Sequence, residues 1–159
     1  MKRLAWLALA CVGGWGPALS QTLVAGRCAQ APVLDGQPAD ACWQEAMVAT
    51  DFTVLGSGGT ERAFRQTTAR AAWDDRALYL HMICLEPDPA SVTAEVKNRD
   101  GEVWMEDAVE VFLQPDLART DFLHFVINAR GVRYEERNTD PAFDPDVQVR
   151  AVALPQAWQ

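Results

Sequence analysis

Positive charge and cysteine are both scarce in this sequence of 159 residues. Lys and Arg number 14 against 22 Asp and Glu, which gives a formal net charge of −8. An acidic surface repels phosphates, so nucleic acids and anionic membranes are excluded as expected partners. Four cysteines are present without a Cys-x-x-Cys pair, which excludes the common zinc motifs. Neutral ligands and cations fit this charge.

Long apolar runs are also missing, and the run at 4–12 is too short to cross a bilayer. It has nine residues, whereas a membrane-spanning helix needs about 20. The run follows a basic start and precedes a helix-breaking stretch that ends in Ala-Leu-Ser at 18–20. This is the pattern of a secretory signal peptide, so we expect residues 1–20 to be removed and the protein to be secreted or periplasmic. A lipid anchor at Cys11 is the alternative.

The mature chain would keep three cysteines, Cys28, Cys42 and Cys84. In an oxidising compartment any two of them could pair, and the sequence leaves the choice open. We expect one structural disulfide at most. Six Trp and 49% hydrophobic residues are enough for a packed core, and the length suits one domain over 21–159.

Short segments of β-forming residues, several of which alternate apolar and polar side chains, predict an all-β fold. Gly, Pro and Asp separate these segments, which is typical of an antiparallel two-sheet sandwich. The candidate strands lie at 67–73, 78–85, 108–113, 122–128, 132–136 and 147–154.

Two further features qualify this β pattern. A short helix is expected over 40–47, with Asp40 capping its first turn. The last candidate strand, 147–154, needs a partner, and only 155–159 follow it. We therefore expect the sandwich to continue beyond Gln159, with its C-terminal strands missing from this sequence.

Three sets of short motifs carry a resemblance to a known family. The first set is VLDG at 33–36 followed by ACWQEA at 41–46. The second is AAWDDRALYL at 71–80 with EPDP at 86–89, and the third is RDG at 99–101, WMEDAVEVFL at 104–113 and HFVINARG at 124–131. In this order and spacing, the chain resembles the family 9 carbohydrate-binding modules and their relatives.

The resemblance implies a jelly-roll-like β-sandwich that binds a neutral oligosaccharide or polysaccharide end, often holds structural calcium and accompanies O-glycosyl hydrolases. In members that bind sugar ends, two Trp enclose the terminal ring and polar side chains hold its hydroxyls. By motif position, Trp104 corresponds to one of these Trp, Glu110 to the acid and Asn128 to the amide. Val126 stands where those members carry Arg, and their second Trp belongs to a late segment. A fused catalytic domain beyond Gln159 is a further expectation.

Strand alternation leads to the same surface. It places Glu110 on one face of its strand, and His124 and Asn128 on one face of the next. If these faces coincide, an acid, an imidazole and an amide line one surface beside Trp104. A pyranose ring stacks on an indole, and carboxylate and amide groups suit its hydroxyls. We therefore predict carbohydrate binding at Trp104, Glu110, Asn128 and His124.

Acidic loops at 74–75 and 140–146 are the candidates for structural calcium, because carboxylate oxygens are its usual ligands. Their spacing matches no recognised calcium loop. The expectation of structural calcium therefore rests mainly on the family resemblance and only weakly on the sequences of these loops.

Other functions stay open. An enzyme would use Glu106 and Glu110 as a carboxylate pair, but residues four apart on a strand lie about 13 Å apart, too far for either glycosidase geometry. We therefore expect a non-catalytic module. An accessory domain without sugar binding is one alternative, and a haem-binding redox sandwich is another. The atoms for haem ligation would come from Met82, Met105, His81 and His124.

Overall fold

A computed structural model describes residues 23–37, 39–116 and 118–159 of the chain. Its contacts divide the chain into two units, residues 1–85 and 86–159, which are described in turn. The predicted signal peptide and the anchor cysteine Cys11 lie outside the described residues. Among the residues that are described, no helix has the length and apolar character needed to cross a bilayer.

Four strands make up most of the regular structure of the first unit. They are β1 (Gly26–Arg27), β2 (Val48–Ala49), β3 (Thr67–Trp73) and β4 (Leu78–Leu85). β3 lies in the middle of these strands: β2 and β4 pair with it in antiparallel orientation, and β1 pairs with it in parallel. The short β1–β3 pair departs from the purely antiparallel pairing that the sequence predicts. The predicted bounds of β3 and β4 are confirmed.

The predicted helix over 40–47 is real but shorter, because α1 spans only Ala41–Gln44. Asp40 stands at its start, and its backbone carbonyl accepts hydrogen bonds from the N–H groups of Trp43 and Gln44. Its side chain does not cap the helix and instead accepts from the N–H of Val33 at 2.9 Å. The predicted side-chain cap is therefore wrong, since the preceding loop uses that carboxylate.

Small side chains and one disulfide organise the core of the first unit. Trp43 packs with Cys28 and Ala72, and a second cluster contains Leu23, Ala49, Ala69 and Ala71. Cys28 and Cys42 form the disulfide, while Cys84 is a free, buried thiol whose burial raises its pKa to about 11. The expectation of one disulfide at most is confirmed, and the structure supplies the pairing that the sequence left open.

The second unit contains an antiparallel sheet in the order β5–β6–β7. Its strands are Ala108–Leu113, Leu123–Asn128 and Arg133–Arg137. The turn between β6 and β7 depends on Gly131, whose φ of 81° is left-handed, and on Asn128, whose side-chain oxygen accepts from the N–H groups of Arg130 and Val132. The predicted hairpin is confirmed. Two 3₁₀ turns precede the sheet, Pro89–Ser91 and Val103–Met105.

The predicted strand at 147–154 is mostly wrong, because only Ala153–Leu154 forms a strand, β8. The residues before it pass over the β6–β7 turn, where a Cβ placed on Gly131 would come within 3.4 Å of the Cβ of Ala151. β8 pairs with β9 (Ala157–Trp158) in a tight hairpin. The partner of β8 therefore lies within residues 155–159.

The strands belong to two sheets, and helix in the described ranges is limited to α1 and the two 3₁₀ turns. The predicted all-β, two-sheet fold class is confirmed. This content is consistent with an all-β sandwich.

Replacing Trp43 with Ala should unfold much of the first unit. Only 4% of this residue is exposed, and its loss leaves a cavity beside Cys28 and Ala72. We expect the free energy of unfolding to fall by about 3–5 kcal/mol in urea titrations followed by circular dichroism. The matched control is Phe64→Ala, whose ring is 93% exposed and whose loss should cost less than about 0.5 kcal/mol. Equal stability of the two variants would contradict this view of the core.

Candidate functional site

One face of the β5–β6–β7 sheet brings the predicted residues together. Side chains directly opposite each other in neighbouring strands point to the same face of a sheet. The register therefore puts on one face Glu110 and Phe112 of β5, His124, Val126 and Asn128 of β6, and Tyr134 and Glu136 of β7. The sequence left open whether the face of Glu110 coincides with that of His124, and the register shows that it does.

Trp104 lies above this face in the 3₁₀ turn Val103–Met105. Val103 is buried and anchors the turn, whereas Trp104 remains 42% exposed. The indole meets the ring of Tyr134 edge to face, with a centroid distance of 4.9 Å and an interplanar angle of 71°. One aromatic ring therefore supports the indole while much of the indole surface faces solvent.

The carboxylate of Glu106 holds the segment that carries Trp104. It accepts hydrogen bonds from the backbone N–H groups of Glu95 and Val96 and, at 2.9 Å, from the amide of Asn128. Burial by itself raises the pKa of Glu106, but these hydrogen bonds favour the ionised form and bring its pKa below the ordinary value. The ionised carboxylate of Glu106 thus connects the segment that carries Trp104 to the loop at 95–96 and to the end of β6.

Asn128 occupies the interior end of the shared face. It has 0% exposure, and its oxygen accepts from two N–H groups of the following turn. Its amide nitrogen donates to Glu106 and, at 3.4 Å, to the carbonyl of Val96. Since every polar atom of the side chain is engaged, the structure makes Asn128 an anchor for the Trp104 loop. Its position does not support the predicted contact with a saccharide.

His124 lies between two carboxylates on the same face. Its Nε2 is 2.9 Å from Oε2 of Glu110, and its Nδ1 is 3.1 Å from Oε1 of Glu136. The imidazole stacks on Phe112 at 4.0 Å with a 7° angle between the planes. The other oxygen of Glu136 accepts from the hydroxyl of Tyr134 at 2.9 Å. Burial raises the pKa of Tyr134, and this hydrogen bond raises it further.

The members of the site differ in how far a ligand could reach them. Glu110 has a side chain that is 47% exposed, whereas those of His124 and Glu136 are 12% and 16% exposed. The arrangement therefore offers an indole and a carboxylate to solvent, with the imidazole behind the carboxylate. An ionised carboxylate only accepts hydrogen bonds, so this site suits a ligand with hydroxyl donors.

Tyr134 and Glu136 are site residues that the sequence analysis missed. The strand was predicted over 132–136, but its register against β6 was not known, and the register decides which side chains join Glu110 and His124. Their separation by two residues was the available signal, because it predicts that both side chains lie on the same face.

Two carboxylates of the acidic loops that were expected to hold calcium are engaged by other groups of the protein. Both side-chain oxygens of Asp74 are engaged, by the N–H groups of Arg76 and Ala77 and by the hydroxyl of Tyr79. Asp144 pairs with Arg99 at 2.6 Å. Within 23–37, 39–116 and 118–159, no group of three or more His, Cys, Asp or Glu side chains could hold a metal ion.

The geometry also bears on the haem alternative. Both ring nitrogens of His124 face carboxylate oxygens, which leaves neither of them directed at an iron. Met105 is exposed, so it does not line an apolar pocket next to that histidine.

Comparison with family models supplies the assignment. A model described as carbohydrate family 9 binding domain-like matches residues 34–148, well over half of the chain. The chain belongs to this family. The resemblance predicted from the sequence motifs is confirmed, and the family description indicates carbohydrate binding. Comparisons with curated proteins and with solved structures gave no match. The residues of the shared face and Trp104 all lie inside the matched segment.

Acid should remove the stabilisation that Glu106 provides. Because the pKa of Glu106 is lowered from 4.5, its contribution is complete above that pH and is lost as the pH falls through the lower folded-state value. Glu106→Gln should therefore be less stable than the wild type at neutral pH, and the difference should shrink towards about pH 3. Urea titrations across this range measure both effects.

The matched control for that prediction is Glu95→Gln. Glu95 lies in the same loop with an exposed side chain. This variant should follow the wild-type dependence on pH. A stability difference between Glu106→Gln and the wild type that stays constant down to about pH 3 would contradict the assignment.

Proposed function

We propose that this protein is a non-catalytic module that stacks a saccharide on Trp104 and binds its hydroxyls with Glu110, supported by His124. The observation that carries the proposal is the exposed indole held above the sheet face on which Glu110 is also exposed. Membership of a carbohydrate-binding family supports the ligand class. A carbohydrate ligand needs both features, an apolar platform for its ring and acceptors for its hydroxyls.

The stacking role of Trp104 follows from its surroundings. The adjacent Val103 is buried and fixes the turn, and Tyr134 supports one side of the indole. A platform that is already ordered loses little conformational entropy when a sugar ring covers it.

Glu110 would bind hydroxyl groups through its carboxylate. One of its oxygens contacts His124, which restrains the direction of the other. The neighbouring Glu136 and the net charge of −8 make the surroundings negative, so neutral saccharides are favoured over acidic ones. The proposed ligand is the end of a neutral oligosaccharide or polysaccharide.

The expected affinity is modest. Stacking on one indole contributes on the order of 1–2 kcal/mol, and each hydroxyl hydrogen bond about 1 kcal/mol net. One platform with two or three hydrogen bonds then corresponds to a dissociation constant near millimolar. Weak binding of this kind suits a module that keeps a linked or neighbouring O-glycosyl hydrolase near its polymer, and export by the predicted signal peptide would bring it there.

Replacing Trp104 with Ala should lower the affinity for neutral gluco- or xylo-oligosaccharides about tenfold, which corresponds to roughly 1.4 kcal/mol. The loss follows from removal of the stacking surface. NMR titration of the full chain, carried to tens of millimolar saccharide, measures it. Phe64→Ala removes an exposed aromatic ring from the first unit and should bind like the wild type.

Two results would contradict this proposal. One is saccharide binding that survives Trp104→Ala unchanged in a folded protein. The other is the absence of binding to any gluco- or xylo-oligosaccharide in this concentration range, which would favour the accessory domain without sugar binding.

A further inference from the structure

We propose that His124 is a positioning residue that carries a proton on both ring nitrogens and thereby fixes Glu110 for the saccharide. The inference rests on the proposed function and adds to it a dependence of binding on pH. Its basis is the placement of one imidazole between two carboxylate oxygens, 2.9 Å from Glu110 and 3.1 Å from Glu136.

The number of hydrogens available for the contacts among His124, Glu110, Glu136 and Tyr134 indicates a doubly protonated imidazole. A neutral imidazole has one N–H donor and one bare nitrogen, whereas ionised carboxylates only accept. A neutral His124 could therefore donate to Glu110 or to Glu136 but not to both. The hydroxyl of Tyr134 has a single hydrogen, which it donates to the other oxygen of Glu136. The proton that completes both contacts thus belongs on the imidazole.

Two strands and one turn pack around the imidazole of His124, and each contributes identifiable side chains. β5 contributes the carboxylate of Glu110 and the stacked ring of Phe112. β7 contributes Glu136 and Tyr134, whose ring centroid is 6.4 Å from that of His124. The 3₁₀ turn Val103–Met105 contacts β6 and has no ionisable side chain. One positive ring therefore faces two negative groups.

Loss of the proton should release Glu110 and leave Glu136 in place. Glu136 is the more buried carboxylate and is also held by Tyr134. Glu110 is the more exposed one, and water can replace its contact with the ring. A neutral His124 would keep its hydrogen on Nδ1, towards Glu136, and turn a bare Nε2 towards Glu110.

The release of Glu110 should weaken saccharide binding. A free carboxylate must be ordered when it binds a hydroxyl, and ordering one side chain lowers an affinity by about two- to tenfold. Because the saccharide prefers the doubly protonated form of His124, its affinity should be greater at low pH, where added protons favour that form.

The experiment measures the affinity of the full chain for a neutral gluco-oligosaccharide between about pH 5 and pH 8, with ¹⁵N NMR of the imidazole over the same range. Glu136→Gln is the informative variant. Its amide can donate to a bare Nδ1 and accept from Tyr134, so a neutral His124 keeps its hydrogen on Nε2 for Glu110. Glu102→Gln is the matched control, since it removes an exposed charge close to Trp104 without contacting His124.

The proposal expects a two- to tenfold fall in wild-type affinity with rising pH. Glu136→Gln should bind equally well at every pH, and Glu102→Gln should follow the wild type. At the lower pH both imidazole nitrogens should carry hydrogen. Binding that does not change with pH, or an imidazole that is neutral throughout, overturns this inference alone. Absence of binding at every pH overturns the proposed function, and this inference with it.

Discussion

The carboxylate of Glu106 joins three parts of the second unit that are distant in sequence. It bonds to the loop at 95–96, it follows the 3₁₀ turn that carries Trp104, and it accepts from Asn128 at the end of β6. The next residue, Asp107, adds bonds from the N–H and hydroxyl of Thr93. Backbone hydrogen bonds from Asp100 to Arg133 and from Ala129 to Asp107 also tie the Trp104 segment to the sheet, but the Glu106 carboxylate is the side chain that connects all three parts. The exposed indole therefore depends on an anionic group that does not itself face the ligand.

This arrangement separates support from recognition. Asn128 and Glu106 have their polar atoms turned inward, so they set the position of Trp104 and leave the ligand to other groups. Glu110 lies further along the same face, where its side chain reaches solvent, and His124 lies behind it. Binding of a neutral saccharide needs both parts, because a stacking surface is useful only if its position relative to the hydrogen-bonding groups is constant.

Local patterns in the sequence predicted which side chains share a face of a strand. They failed at positions where contacts between residues distant in sequence determine the structure. Alternation put His124 and Asn128 on one face of β6, whereas the register of β5 against β6 decides that Glu110 shares this face. Alternation also made Asn128 a candidate for ligand contact, but that side chain is buried and its amide donates to Glu106, 22 positions away. The segment at 147–154 also reads as a strand, yet most of it passes over the turn at Gly131. Neither contact leaves a local signal.

The most direct test of the binding account is a titration of the full chain with a neutral gluco-oligosaccharide, followed by the indole N–H signals in ¹H–¹⁵N NMR. The account predicts that the signal of Trp104 shifts with a dissociation constant near millimolar, together with the backbone amide of Glu110. The signals of Trp43 and Trp73 in the first unit should not move. Shifts confined to those two tryptophans, or an unmoved Trp104 signal at tens of millimolar, would contradict it.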